Sequence, residues 1–293
     1  MASELDDVQR LSRAGFTALR ENRPDDALTI ASQLKQHRFS ACFEIEARAR
    51  WAKGERNRAV QVLQEGVTQA SAVPSLWHWL ACYQSDQGQY DHALEAFARE
   101  SLLSGSLTAN SYNVAVVYER MGRLQDALDV LDQVECPDQC GPSPAHFAEL
   151  RARLLLKCGR RVDALRIAEM AAALMQFDAD NPIDPALHDR VLRNLREARA
   201  DRSKATQQLV VIVESHKTGG EPHPTGFFRR FEVVADAVDE ALGFIRPFIT
   251  EQYRDALKIS ETKLVGPAPD QLKRVVRAGA AVWFDRDEDP RKV

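Results

Sequence analysis

"ERMGRLQDAL", residues 119–128, sets a glycine inside a stretch that otherwise favours helix, with an alanine five residues later. Four other segments share the design: "LRENRPDDAL" (19–28), "WAKGERNRAV" (51–60), "SDQGQYDHAL" (85–94) and "LKCGRRVDAL" (156–165). The turn positions are Asn22, Gly54, Gly88, Gly122 and Gly159, at spacings of 32, 34, 34 and 37. Ala27, Ala59, Ala93, Ala127 and Ala164 follow in step, and Gly15, Ala47, Ala81, Ala115 and Ala152 sit seven residues before each turn. Three columns in register over five units mark a chain built from stacked copies of one motif.

Each column has a physical reason. Gly or Asn supplies the left-handed backbone that ends one helix and lets the next begin. Asp and Gln just after the turn suit the positive end of the new helix dipole. The small columns let two antiparallel helices approach closely. Leu80, Tyr90, Leu94, Phe97, Val114, Leu124, Leu128 and Leu131 fill the remaining gaps at helical spacing.

A helix–turn–helix unit of about 34 residues resembles the tetratricopeptide repeat (TPR) family. The third unit is most similar, with Trp77, Leu80, Ala81, Gly88, Tyr90, Ala93 and Phe97 at signature positions; the fourth matches with Val114, Ala115, Tyr118, Gly122, Leu124 and Ala127. The resemblance covers roughly 8–178 and implies a helical binding scaffold. It places Arg20, Glu44, Arg48, Trp51, His78, Tyr112, Asn113, Arg120, Glu149, Arg153 and Lys157 on or near the concave face of the array. Aromatics and arginines together suit a peptide, because both are enriched at binding hot spots and Arg grips carboxylates with two donors. Chaperone-binding members use a clamp of Lys and Asn residues. Asn113 matches one clamp position, but His78, Cys82, His146 and Leu150 stand where others are expected, which disfavours chaperone C-termini as ligands.

After the fifth unit, 181–205 reads as a further helix, with Asp184 as N-cap and Pro185 at the first helical position. A capping helix covers the last apolar face of a solenoid. From 207 the period changes. "QQLVVIVES" (207–215) reads as a buried strand, 227–248 as an amphipathic helix interrupted by Pro247, 255–265 as a strand, 270–279 as a short helix ending at Gly279, and 280–285 as a strand. The fold class expected is mainly α: a solenoid of about five helix pairs plus a capping helix (1–206), followed by a small α/β domain of β-α-β-α-β order (207–293).

Bulk properties exclude several classes. Residues 1–206 carry 26 Lys+Arg against 29 Asp+Glu, and 207–293 carry 13 against 14, so neither part has the basic excess that tracks a nucleic-acid backbone. No apolar run approaches about 18 residues, so no membrane span is expected. The opening "MASELDDVQRLSRAG" has no apolar core, so no secretory signal is expected either. Five cysteines (Cys42, Cys82, Cys136, Cys140 and Cys158) then read as free thiols of a cytoplasmic protein. Thirty Arg against nine Lys suits a GC-rich, bacterial coding sequence.

Three groups of side chains invite sharper chemistry. Cys136-x3-Cys140 with His146 resembles half of a zinc site, yet no second ligand pair stands nearby, and reduced loop thiols are the plainer reading. Glu214, His216, Glu221 and His223 crowd a Pro- and Gly-rich loop, where polar residues are usually just solvated. Glu214 at one strand end, with Asp285 and Asp287 at another, is similar to the metal-binding arrangement of topoisomerase–primase domains. Only eight residues follow Asp285, too few for the rest of that fold. The sequence therefore points to a non-enzymatic scaffold without a cofactor. Its protein or peptide partner would lie on the concave helix face, and the C-terminal domain would give a second contact or a homo-oligomer surface. The alternative is a small metal-dependent phosphoryl-transfer or nuclease-like domain carried by the helix array.

Overall fold

The computed structural model describes residues 2–106, 110–134, 142–175, 184–216 and 226–284. The chain divides into two compact units, Met1–Gly141 and Pro142–Val293, so the boundary expected at 206/207 runs through the second unit.

The first unit is four antiparallel helix pairs: α1 (Ala2–Arg20) with α2 (Pro24–Gln36), α3 (Ala41–Ala52) with α4 (Arg56–Gln69), α5 (Pro74–Asp86) with α6 (Tyr90–Ser104), and α7 (Ser111–Arg120) with α8 (Leu124–Asp132). Asn22, Gly54, Gly88 and Gly122 turn each pair with φ between 54° and 80°, in the left-handed region. The alanine columns are fully buried: Ala27, Ala47, Ala59, Ala81, Ala93, Ala115 and Ala127 are 0% exposed. At Gly15 a Cβ would stand 2.7 Å from Ile45 Cδ1, so the smallest residue lies where α1 and α3 come closest. Phe43, Ile45, Leu63, Leu76 and Leu80 fill the core around these columns.

The second unit begins with the fifth pair, α9 (Pro144–Lys157) and α10 (Arg161–Leu174), turned at Gly159 with φ 74°, and then α11 (Pro185–Arg199). Asp184 caps α11, its Oδ1 accepting from the Ala186 amide at 2.9 Å. The remainder holds β1 (Asp201–Lys204), β2 (Gln207–His216), β3 (Gly226–Ala235), α12 (Val238–Ile245), two single 3-10 turns (Arg246–Phe248 and Glu251–Tyr253), β4 (Lys258–Pro267) and β5 (Leu272–Phe284). The five strands form an antiparallel sheet in the order β1-β5-β3-β2-β4. Leu209, Val211, Val213, Phe231 and Val233 form its buried face. α12 packs on β3, and α11 on β5.

Three sequence expectations are corrected here. The segment 227–248 is not one helix: 227–235 is the central strand β3. Its inward residues are Phe227, Arg229, Phe231, Val233 and Ala235, a period of two that a charged residue at the second position disguises. The segment 270–279 is strand, continuous with 280–284. Gly279 ends no helix; it sits at a bulge where Arg229 pairs with Ala281 but Phe231 with Ala278. A Cβ at Gly279 would stand 3.2 Å from the Arg230 carbonyl oxygen. Finally, the helix expected over 181–205 stops at Arg199 and gives way to β1, whose pairing with β5 lies some seventy residues away in sequence.

Candidate partner-binding site on the helix pairs

On α3, Glu44, Arg48 and Trp51 fall at helical spacing on one face; on α5, Trp79, Tyr83 and Asp86 do the same. The two faces meet. Trp51 stacks on Tyr83 with ring centroids 4.0 Å apart and planes 7° apart. Trp79 donates its indole N–H to Glu44 Oε1 at 3.0 Å, and the Arg48 guanidinium lies over the Trp79 ring at 4.3 Å while pairing with Glu44 at 3.1 Å. From α4, Arg56 stands 5.5 Å from the Trp51 ring centroid. From α7, Arg120 bridges to Asp86 Oδ1 at 2.7 Å and donates to Ser85 Oγ at 2.9 Å. Trp51, Arg56, Ser85, Asp86, Tyr90 and Arg120 line a cleft of about 410 Å³ that draws on the second, third and fourth helix pairs.

Burial holds the Tyr83 phenol well above its ordinary range; the phenol backs the Trp51 ring, which is the member of the stack that lines the cleft. The rim is charged and exposed. Arg56 makes no ion pair among the described residues, whereas Arg120 is pre-set by Asp86.

The structure brings only some of the sequence-derived residues together. Trp51 and Arg120 come together in the cleft, with Arg48 in the adjoining Glu44–Trp79 cluster. Arg20 is exposed and donates to its own neighbour Thr17 at 3.1 Å, and Tyr112 and Asn113 are half-buried on α7. His78 turns away, to α6: its Nδ1 lies 3.1 Å from Glu100 Oε2 and its Nε2 3.7 Å from Cys82 Sγ. Cys82 and Glu100 raise its pKa to about 10 against the pull of burial, so it carries a charge. Arg153 and Lys157 belong to the second unit, on α9. Glu149, placed by the sequence on the open face, is instead 0% exposed, held by Arg153, Arg190 and Asn194 at 3.2–3.4 Å.

Sequence reasoning missed Arg56, Trp79, Tyr83, Ser85 and Asp86. The four-residue spacing of Trp79 and Tyr83, matched by Glu44 and Arg48 one repeat earlier, is the signal that finds them. The alternative metal reading needs carboxylates at neighbouring strand ends, but β3 lies between β2 and β5. Glu214 itself is half-buried on β2, opposite Phe228 and Lys258. Cys136, Cys140, Glu221, His223, Asp285 and Asp287 lie outside the described residues. No helix among the described residues is long and apolar enough to cross a membrane.

No protein-family model matches the chain, and no curated protein matches it in sequence. Solved structures do match. A thermophilic TPR protein of Thermus thermophilus, TTC0263, is 19% identical, with a TM-score of 0.50 over 64% of this chain and 98% of that one. A tetratricopeptide repeat protein of Parabacteroides merdae is 12% identical, with a TM-score of 0.51 over 64% of this chain and 72% of that one. Likeness at such low identity concerns the path of the backbone, and it agrees with the left-handed turns and buried alanine columns: the paired helices of this chain have the tetratricopeptide-repeat fold.

Proposed function

We propose that the chain is a non-enzymatic, cytoplasmic scaffold that binds an extended segment of a protein partner along α3, α5 and α7. The observation that carries this reading is the cleft at Trp51, Arg56, Asp86, Tyr90 and Arg120. It joins a rigid aromatic stack to two arginines and one carboxylate, drawn from three successive pairs. Rigid aromatics give contact area at low entropic cost, and an arginine without an acidic partner selects a carboxylate on the ligand. The segment that fits best is therefore one with an acidic side chain beside an apolar one. The C-terminal sheet serves as a second contact or a self-association surface, in keeping with its edge strand β4, which exposes Leu264 and Val265.

Affinity capture from the native cell, with the full chain as bait, tests the proposal. The double variant Arg56→Glu/Arg120→Ala removes the rim's positive charge and leaves both rings of the Trp51–Tyr83 stack in place, at the loss of one exposed cation–π contact. It should lose the proteins that the parent chain retains. Retention of the same proteins at the same yield overturns the reading.

A further inference from the structure

The second unit contains a cleft of about 630 Å³ between α10, α11, the turn at Pro247–Arg254 and β5. That is the size of a site for a small molecule. Its walls are largely apolar: Met170 and Ala173 from α10, Leu192 from α11, Phe248 from the turn, Trp283 from β5. Arg229 is set into this apolar lining.

Arg229 projects from the inward face of the central strand and is 8% exposed. Its Nε donates to the Gly279 carbonyl at 2.9 Å, an acceptor that the β5 bulge turns toward it, and its Nη1 donates to the Phe248 carbonyl at 3.2 Å. Its Nη2 faces His188 Nε2 at 3.4 Å, and its guanidinium lies 5.2 Å from the centroid of the Phe231 ring. Every one of these partners is neutral. His188 is kept so by burial and by Arg229 itself, which both push its pKa down. Among the described residues no carboxylate pairs with Arg229. Of the acids along the cleft, Glu169 is committed to Arg199, while Asp189 and Glu251 are exposed.

A guanidinium has five N–H donors, and these contacts use three. Burial pulls the Arg229 pKa down to about 10, with no acidic neighbour among the described residues to offset it. An uncompensated buried cation is among the costlier features a core can hold. Here it also spoils the alternation of β3, and it sits where a cleft opens onto it.

We propose that this cleft binds a small amphiphilic acid, its carboxylate on the two remaining Arg229 donors beside His188 and its hydrocarbon part between Met170, Phe248 and Trp283. The cleft has a second cation, Arg254, whose Nε is spent on the Ile249 carbonyl at 2.7 Å. Arg229, deep in the lining with neutral neighbours, matches the single charge of a monoanion, and its planar fork matches a carboxylate. The exposed Asp189 and Glu251 at the cleft disfavour a dianion such as a phosphate monoester. This ligand site is independent of partner binding by the first unit.

Calorimetric titration of the full chain with octanoate, 1-octanol and acetate tests the proposal. Octanoate should bind at least about tenfold more tightly than octanol, as a hydrogen bond to a charged group implies, and acetate should bind far more weakly than octanoate. In Arg229→Met the preference for acid over alcohol should fall to about one; the variant removes a buried charge that has no acidic partner among the described residues, and with it the hydrogen bonds to the Gly279 and Phe248 carbonyls. Ala173→Trp, a substitution at an exposed residue of the cleft wall, keeps the test open should Arg229→Met fail to fold; it should weaken octanoate and octanol alike. Equal affinity for acid and alcohol, equal affinity for acetate and octanoate, no binding of octanoate, or no effect of Ala173→Trp overturns the proposal.

Discussion

Trp51 and Tyr83 lie face to face, 4.0 Å between centroids and 7° from parallel, and so fasten α3 to α5 across two successive helix pairs. Tyr83 is 5% exposed. Tyr83→Ala should cost about 3 kcal/mol, as truncation of a buried aromatic does, and Arg56→Ala should cost about 0.5 kcal/mol, as an exposed cation–π contact does. Urea unfolding followed by tryptophan fluorescence ranks the two. Similar losses would show that the stack is not what joins the pairs.

The turns and the close helix approaches make a second, separable prediction. Gly122 has φ 77° and open space around its Cα, so Gly122→Ala is penalised through the backbone alone, by about 1 kcal/mol. Gly66 has ordinary helical geometry, but a Cβ there would stand 2.8 Å from Phe43 Cβ and 2.9 Å from Phe43 Cγ. Gly66→Ala should therefore cost more, about 2 kcal/mol of overpacking. Asn22→Gly, at φ 54°, should stay close to the parent. Melting temperatures of the three variants give the order directly.

The same contrast explains what the sequence revealed. A left-handed turn and an alanine column are local demands, met by one residue type at a fixed spacing, and all five turns and their helix pairs are legible from them. Strand pairing is not local. β1 is four exposed residues that become a strand only because β5 lies alongside. β3 read as helix because Arg229, a charge, takes an inward position. At the candidate site, Trp51 and Arg120 were legible from the repeat pattern. Tyr83 and Asp86 were not, because their role appears only where α5 meets its neighbours. His78 shows the converse: its position in the repeat faces the groove, but Glu100 on α6 draws its ring away.

His78 also gives the chain a pH signature. Its folded-state pKa is raised by Cys82 and Glu100, to about 10, from an unfolded value near 6.5. A raised cationic group stabilises fully below its unfolded pKa, and that contribution is lost as pH rises through the folded value. Glu100→Gln should therefore lower stability by about 1.5 kcal/mol at pH 6, with the gap to the parent closing between pH 6.5 and 10. Thermal melts across that range check it. A gap independent of pH would mean that His78 is neutral throughout.

In the second unit, Glu149 ties α9 to α11 through Arg190 and Asn194 while pairing with Arg153 on its own helix. Glu149→Ala leaves buried donors and a cation without their acceptor, a change of about 3 kcal/mol. Hydrogen exchange should show lost protection in α9 and α11, and the first unit unaffected. Unchanged protection in α11 would show that the contact is incidental.

Site-specific photocrosslinking in the native cell addresses the central claim most directly. A photoreactive side chain at position 56, on the rim of the Trp51 cleft, should give a discrete protein adduct, and the same reporter at exposed Gln125 on α8 should give none. Adducts of equal yield at both positions, or none at position 56, would contradict partner binding along α3, α5 and α7.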